Sequence, residues 1–281
     1  MKIIKIYQKK NPVFSIEICP QKSEQELNPL FKLFDTLSKF KIDFFSVTSA
    51  PFGKEGGNAL TTAIILKEKY HLEPLLHLTC GDKTKKELKD ILFKIKKGKI
   101  QNILALRGDV KKEKGCNLAL ELIREIKQNF PSRFCIGVAG YPETPPDCPS
   151  FKKNIEYLKL KVKEGADFII TQIFFDLNKF LRFRERLEKE RIFAPVVPGI
   201  FLLTKYSQAL FFEKRLKITL PKKLKERIEK EKGKKEIVRK ICREHIIGLC
   251  RELLENGVPG LHFFTKNQVF ETQKILEVLS K

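Results

Sequence analysis

Four ionisable side chains stand out because each interrupts or closes an apolar run: Glu17 in FSIEICP, His77 in LLHLTC, and Arg107 and Asp109 closing ILALRGD. A carboxyl group held inside an apolar strand loses hydration. Desolvation favours its neutral form, raises its pKa and suits it to act as a general acid near neutrality. An ion-paired structural carboxylate is the other reading of Glu17, and a hydrogen-bonded core imidazole that of His77. Between Arg107 and Asp109, Gly108 lets the backbone approach a flat ligand, while the arginine can pair with an anionic group. Asp109 would add fixed negative charge beside reacting atoms. Gln172, closing DFIITQ, can donate and accept together, as recognition of an amide-rich heterocycle requires. Cys242-x-x-His245, with Cys250 beyond, has metal-like spacing but sits in a lysine-rich helical stretch, where chance placement is the better reading.

Placing these groups together requires a scaffold, and the alternation of short apolar runs with amphipathic stretches supplies one. Strands are expected at Val13–Ile18, Asp43–Thr48, Pro74–Thr79, Gln101–Leu106, Phe134–Ala139, Asp167–Gln172, Val196–Ile200 and Gly260–Phe264. Their near-continuous hydrophobicity fits a parallel sheet covered by helices. Helical periodicity occupies Ser23–Phe40, Lys83–Lys97, Leu118–Asn129, Phe151–Glu164 and Asn178–Glu190, and Gly165 and Gly257 follow as left-handed stops. Eight βα units without a linker predict one α/β domain over residues 1–281, a closed (β/α)8 TIM barrel. An extra helical insertion, about Pro221 to Asn256, precedes the last strand. Chemistry in such a barrel gathers at the C-terminal ends of the strands, where Glu17, Thr48, His77, Arg107, Tyr141, Gln172 and Thr265 all fall.

Composition bounds the partners. Of 281 residues, 42% are hydrophobic and 32% charged, enough for a core and unlike a disordered chain. No apolar window approaches a membrane span or signal peptide, and seven cysteines without a C-x-x-C read as reduced thiols, so a cytoplasmic location is expected. The net charge of +22 admits nucleic acid, an anionic ligand or heat adaptation. In KKLKERIEKEKGKKEIVRKICRE, acids alternate with bases at helical spacing and no aromatic residues are interleaved, which disfavours a single-strand nucleic-acid binder.

Taken in order, FSIEICP, FFSVT, PLLHLTC, ILALRGD, VAGYPE, LKLKVKEGADFIITQIFFD, VVPGI and GVPGLHFFTKN resemble the methylenetetrahydrofolate reductase family over nearly the whole chain. The resemblance implies FAD bound without a G-x-G-x-x-G fingerprint, by Thr48, His77, Arg107, Gly108, Asp109, Ala119, Tyr141 and Lys161. It implies folate contacts at Gln172, Gln208 and Phe212, with Glu17 as the acid and Asp109 beside flavin and pterin. The activity implied is reduction of 5,10-methylenetetrahydrofolate to 5-methyltetrahydrofolate by ping-pong exchange through FAD. NADH or NADPH is the expected donor, with reduced ferredoxin or another partner protein as an alternative, and a homo-oligomer is expected. Leu60 and Asn154 depart from the family at an arginine and an aspartate position, and Gln268 at an arginine facing the folate tail. A different barrel flavoenzyme, of the proline dehydrogenase kind, is the rival enzyme class; a colourless basic protein that binds RNA is the rival outside catalysis.

Overall fold

The computed structural model describes residues 1–20, 27–37, 39–48, 59–108, 118–265, 267 and 269–279. Strands β1 (Val13–Ile18), β2 (Phe44–Val47), β3 (Glu73–Thr79), β4 (Asn102–Leu106), β5 (Cys135–Gly140), β6 (Phe168–Ile173), β7 (Val196–Phe201) and β8 (Gly260–Phe264) close into a barrel in sequence order. Every pairing is parallel, including the closure of β1 on β8. Among the helices are α2 (Leu27–Leu37), α3 (Ala59–Lys69), α4 (Lys85–Lys97), α5 (Ala119–Asn129), α6 (Phe151–Lys163), α7 (Leu177–Lys189), α8 (Tyr206–Leu216) and α11 (Val269–Leu279). The expected insertion is two helices, α9 (Lys222–Lys230) and α10 (Lys235–Glu255). The (β/α)8 architecture and all eight strands are as the sequence predicts. Of the helix expected at Ser23–Phe40, α2 is described as helical, while Lys39 and Phe40 lie in a turn beyond it.

Strand periodicity decides which side chains meet. Successive Cβ atoms alternate faces, so Ile16, Ile18, Phe45 and Val47 turn outward and pack in the cluster beneath the helices. Val13, Phe44, Leu75, Leu104, Cys135, Phe168 and Val197 form a separate cluster inside the barrel. Glu17, Thr48, His77 and Gln172 share the interior parity of their strands, two or four residues further toward the C-terminal rim. One period-two pattern thus both fills the barrel floor and aims polar groups into its mouth.

The floor is closed by a helix the sequence pattern does not announce. Helix α1 (Ile4–Lys9) brings Ile6, with Ile3 before it, into the interior cluster. The Tyr7 ring lies against Phe44 and Phe168, with centroids at 6.2 and 5.7 Å. Asn102, fully buried in β4, accepts from the Ile3 amide at 2.8 Å and donates to the Met1 carbonyl at 3.1 Å.

Elsewhere local chemistry sets the element ends. Thr84 and Glu87 form a reciprocal capping box at α4, and Ser150 and Asp176 cap α6 and α7. Gly165 and Gly257 take the left-handed conformation expected of them, with φ +107° and +71°. No helix among the described residues is long and apolar enough to cross a membrane.

Candidate active site

Glu17 and His77 face each other at the barrel mouth, Glu17 Oε2 standing 3.8 Å from His77 Nε2. His77 is 6% exposed, and burial pulls its imidazole down to about 3. The ring is therefore neutral at ordinary pH, and the contact is between a carboxyl group and a dipole rather than between opposite charges. His77 Nε2 is buried and makes no hydrogen bond among the described residues.

The end of β1 that carries Glu17 is held from β8. Thr265 Oγ1 donates to the Glu17 carbonyl at 2.8 Å. Asn267, left-handed at φ +59°, accepts from the Cys19 amide at 2.9 Å and donates to the Cys19 carbonyl at 3.0 Å. Asparagine tolerates that conformation, and its amide imitates a strand partner where the ladder has ended.

A cationic corner lies across the mouth. Arg107 follows β4, and its guanidinium donates to Asp147 in the β5–α6 connection. Lys161, on the inner face of α6, reaches back to the Ala139 carbonyl at 3.3 Å. Burial, and then the nearby Arg107 charge, lower its ammonium group to about 8. Between β4 and this corner, Gly108 adopts φ +87°, and a Cβ there would come within 3.0 Å of the Thr79 Cβ. Ala119 opens α5 beside this region and is buried, while Thr48 is half-buried at the end of β2. Asp109 lies outside the described residues.

A recess beside the corner is lined by Tyr141, Pro142, Glu143, Gln172, Leu216 and Ile218. Tyr141 is positioned through its carbonyl, which accepts from Asn154 Nδ2 at 2.8 Å. Gln172 turns its carbonyl oxygen onto the Ile173 amide at 3.0 Å. Two expected folate contacts have other occupations here. Gln208 Oε1 caps α8, accepting from the amides of Thr204 and Lys205 at 2.7 and 3.2 Å. Phe212 is 5% exposed and packs against Phe175 and Phe201, with centroids at 6.1 and 5.0 Å. The structure thus brings Glu17, Thr48, His77, Arg107, Gly108, Tyr141, Lys161 and Gln172 to one rim and keeps the Phe212 ring within the packed wall beside it. Away from the mouth, His245 Nε2 bonds to the Phe175 carbonyl at 2.8 Å and Cys242 is buried in α10.

Sequence reasoning passed over His262, Ser15 and Ser46. All three are interior and buried; His262 Nδ1 stands 2.8 Å from Ser15 Oγ, and its Nε2 3.4 Å from Ser46 Oγ. The signal was available: each occupies the inward parity of its strand, Ser15 in line with Glu17, Ser46 with Thr48 and His262 with Phe264.

These features define a (β/α)8-barrel protein with a composite polar site at the C-terminal rim. The family follows from comparison: the model described as methylenetetrahydrofolate reductase matches residues 2–280, and the chain belongs to that family. It is 31% identical to methylenetetrahydrofolate reductase (NADH) 1 of Arabidopsis thaliana over 95% of this chain and 48% of that protein. It is also 31% identical to 5,10-methylenetetrahydrofolate reductase of Salmonella typhimurium, over 94% of this chain and 90% of the relative. The chain spans about half the length of the plant and yeast relatives it matches. Among solved structures, an uncharacterised Clostridium thermocellum protein described as binding two copies of 5-methyl-5,6,7,8-tetrahydrofolic acid superposes with a TM-score of 0.71. The match covers 99% of this chain and 100% of that one, at 16% identity, and shows the shared fold.

Proposed function

We propose that the chain reduces 5,10-methylenetetrahydrofolate to 5-methyltetrahydrofolate, with FAD as resident cofactor and NADH or NADPH as donor. Family membership supports this, and the observation that carries it is the Glu17 carboxyl group facing a neutral, buried imidazole at the barrel mouth. The residues present fit a flat anionic cofactor. His77 Nε2 is buried and makes no hydrogen bond to the described residues, Gly108 presents only backbone at the end of β4, and Arg107 and Lys161 supply cations for a diphosphate. Bound FAD would supply the two-electron chemistry, taking a hydride from the nicotinamide and delivering one to the methylene carbon.

The chain's own contribution is to bind, orient and move a proton. Glu17 gives a proton to folate N10 as the N10–methylene bond breaks and its electron pair stays on nitrogen. Gln172 offers donor and acceptor to the pterin, and Asp109 stabilises positive charge that develops there. Gln208 and Phe212 meet the aminobenzoate, which requires the Phe212 ring to present a face that the wall now covers. One hydride and one proton are added in all, matching consumption of NAD(P)H and H⁺.

The test separates the halves. Anaerobic, photoreduced enzyme should regain its yellow colour on adding methylenetetrahydrofolate. Recovery with proline-like compounds and none with the folate would select the rival enzyme class, and a purified chain without flavin would end the proposal. Glu17→Gln should abolish folate-driven reoxidation while donor-driven reduction persists; equal loss of both would remove the acid role.

A further inference from the structure

Directly beneath Glu17 and His77 lies a fully buried polar layer in which β8 ties together the two strands at the acid's side. His262 Nδ1 meets Ser15 Oγ at 2.8 Å, and Nε2 stands 3.4 Å from Ser46 Oγ. Ser15 is two residues before Glu17 on the same face of β1, and Ser46 is the cross-strand partner of Glu17 on β2. On the other side, Phe264 is the cross-strand partner of Glu17, and its ring meets the His262 ring edge-on at 5.0 Å and 90°. Both cross-strand partners of the acid, and the residue two before it on its own strand, therefore meet one imidazole. Either tautomer commits the short Nδ1 contact to Ser15 and leaves Nε2 facing Ser46, so the ring has no spare donor for substrate.

We infer that His262 is a positioning residue for the proposed proton transfer: through Ser15, Ser46 and Phe264 it fixes the Glu17 carboxyl group and keeps water from entering below it. The inference rests on the function proposed above. The titratable groups facing the layer are Glu17 and His77 above and Tyr7 of α1 below, near Ser15. His262 itself is held neutral, at about 3, by burial and by the adjoining His77. An uncharged floor under the acid is what the fixed hydrogen bonds provide, and a carboxyl group over a dry floor keeps its proton to higher pH than one over water.

His262→Leu removes both ring nitrogens and should slow folate-driven reoxidation of the photoreduced enzyme roughly 100-fold, as displacement of a catalytic group by about 1 Å does. The alkaline limb of its rate–pH profile should move to lower pH, because water would stabilise the ionised acid. Donor-driven flavin reduction should fall far less. His262→Gln, whose amide can still join both hydroxyls, should restore most of the rate and return the limb. Equal loss in both half-reactions, or a wild-type rate and profile in a folded, flavin-replete His262→Leu protein, would overturn the positioning role. Should that variant fail to fold, Ser46→Ala carries the test, with the same limb displacement expected and its absence counting against the inference. A wild-type enzyme that folate does not reoxidise would instead sink the parent function.

Discussion

Arg107 at the end of β4 and Asp147 in the β5–α6 connection are joined across the barrel rim at 2.7 Å, 40 residues apart in the chain. The pair occupies the guanidinium that the proposed cofactor diphosphate would use, so Asp147 competes with the anion. With side chains 34% and 59% exposed, the interaction is screened and contributes at most about 1 kcal/mol. Asp147→Asn is expected to tighten FAD binding to the apoprotein by no more than about fivefold. Flavin fluorescence quenching at low salt would measure it, and weaker binding would remove Asp147 as a competitor.

Lys161 ties that same corner to pH. In the unliganded fold its ammonium group titrates at about 8 rather than near 10.5, since burial and Arg107 both penalise the charge. A bound diphosphate would restore the protonated form. At about pH 9, FAD binding should take up a proton, while at pH 7, where Lys161 is already charged, it should take up none from this group. Calorimetric titration in two buffers of different ionisation heat reads the difference, and Lys161→Met should abolish it. Because the unfolded chain keeps this proton to higher pH, the apoprotein should also gain stability from this residue as pH rises from about 8 toward 10.5.

How much of this was legible in the sequence depended on whether local pattern or distant contact made the decision. All eight strands could be read because each is a run of apolar residues too short for a helix and bounded by turn chemistry, as NILAL and DFIITQ show. Glu17 and His77 were visible because a polar residue inside such a run is costly unless it is used or paired. Helix α1 escaped notice: at six residues it is too short to persist by propensity, and what fixes it is Asn102 and the barrel floor, some 99 residues away. The same limit applies to Phe212, whose burial is decided by Phe175 and Phe201 on other elements. Nor could sequence show Gln208 spending its carbonyl oxygen on the α8 cap.

The insertion is anchored by charge as well as by its apolar face. Arg243 on α10 stands 3.4 Å from Glu271 on α11, with side chains only 21% and 10% exposed. Among the described residues, Arg243 Nε and Glu271 Oε2 are buried and make no hydrogen bond. Glu271→Leu would strand the guanidinium, and a loss of roughly 3 kcal/mol in unfolding free energy is expected, the low end for breaking a buried pair. Arg243→Met combined with Glu271→Leu should recover most of it, since an apolar pair carries no desolvation cost. Denaturant melts of the single and double variants check both. If the double variant is as unstable as Glu271→Leu, packing rather than stranded charge governs this contact.

The barrel floor gives the last expectation. Asn102 is the hub of the N-terminal plug: its Oδ1 satisfies the Ile3 amide at 2.8 Å, and its Nδ2 lies 3.1 Å from the Met1 carbonyl and 3.3 Å from that of Pro74. The Met1 amino group pairs with Glu73 on the neighbouring strand. Asn102→Ala leaves a buried amide unpaired and should cost about 1–3 kcal/mol, whereas Asn102→Asp keeps the acceptor for Ile3 but sets a buried carboxylate against Glu73 and two carbonyl oxygens and should cost more at neutral pH. The plug lies at the end of the barrel opposite Glu17, so an enzyme weakened there should melt earlier yet turn over methylenetetrahydrofolate at nearly the wild-type rate below its transition. A folded Asn102→Ala protein with selectively impaired folate reduction would show instead that the floor communicates with the mouth through Phe44 and His262, whose rings stack 6.4 Å apart between them.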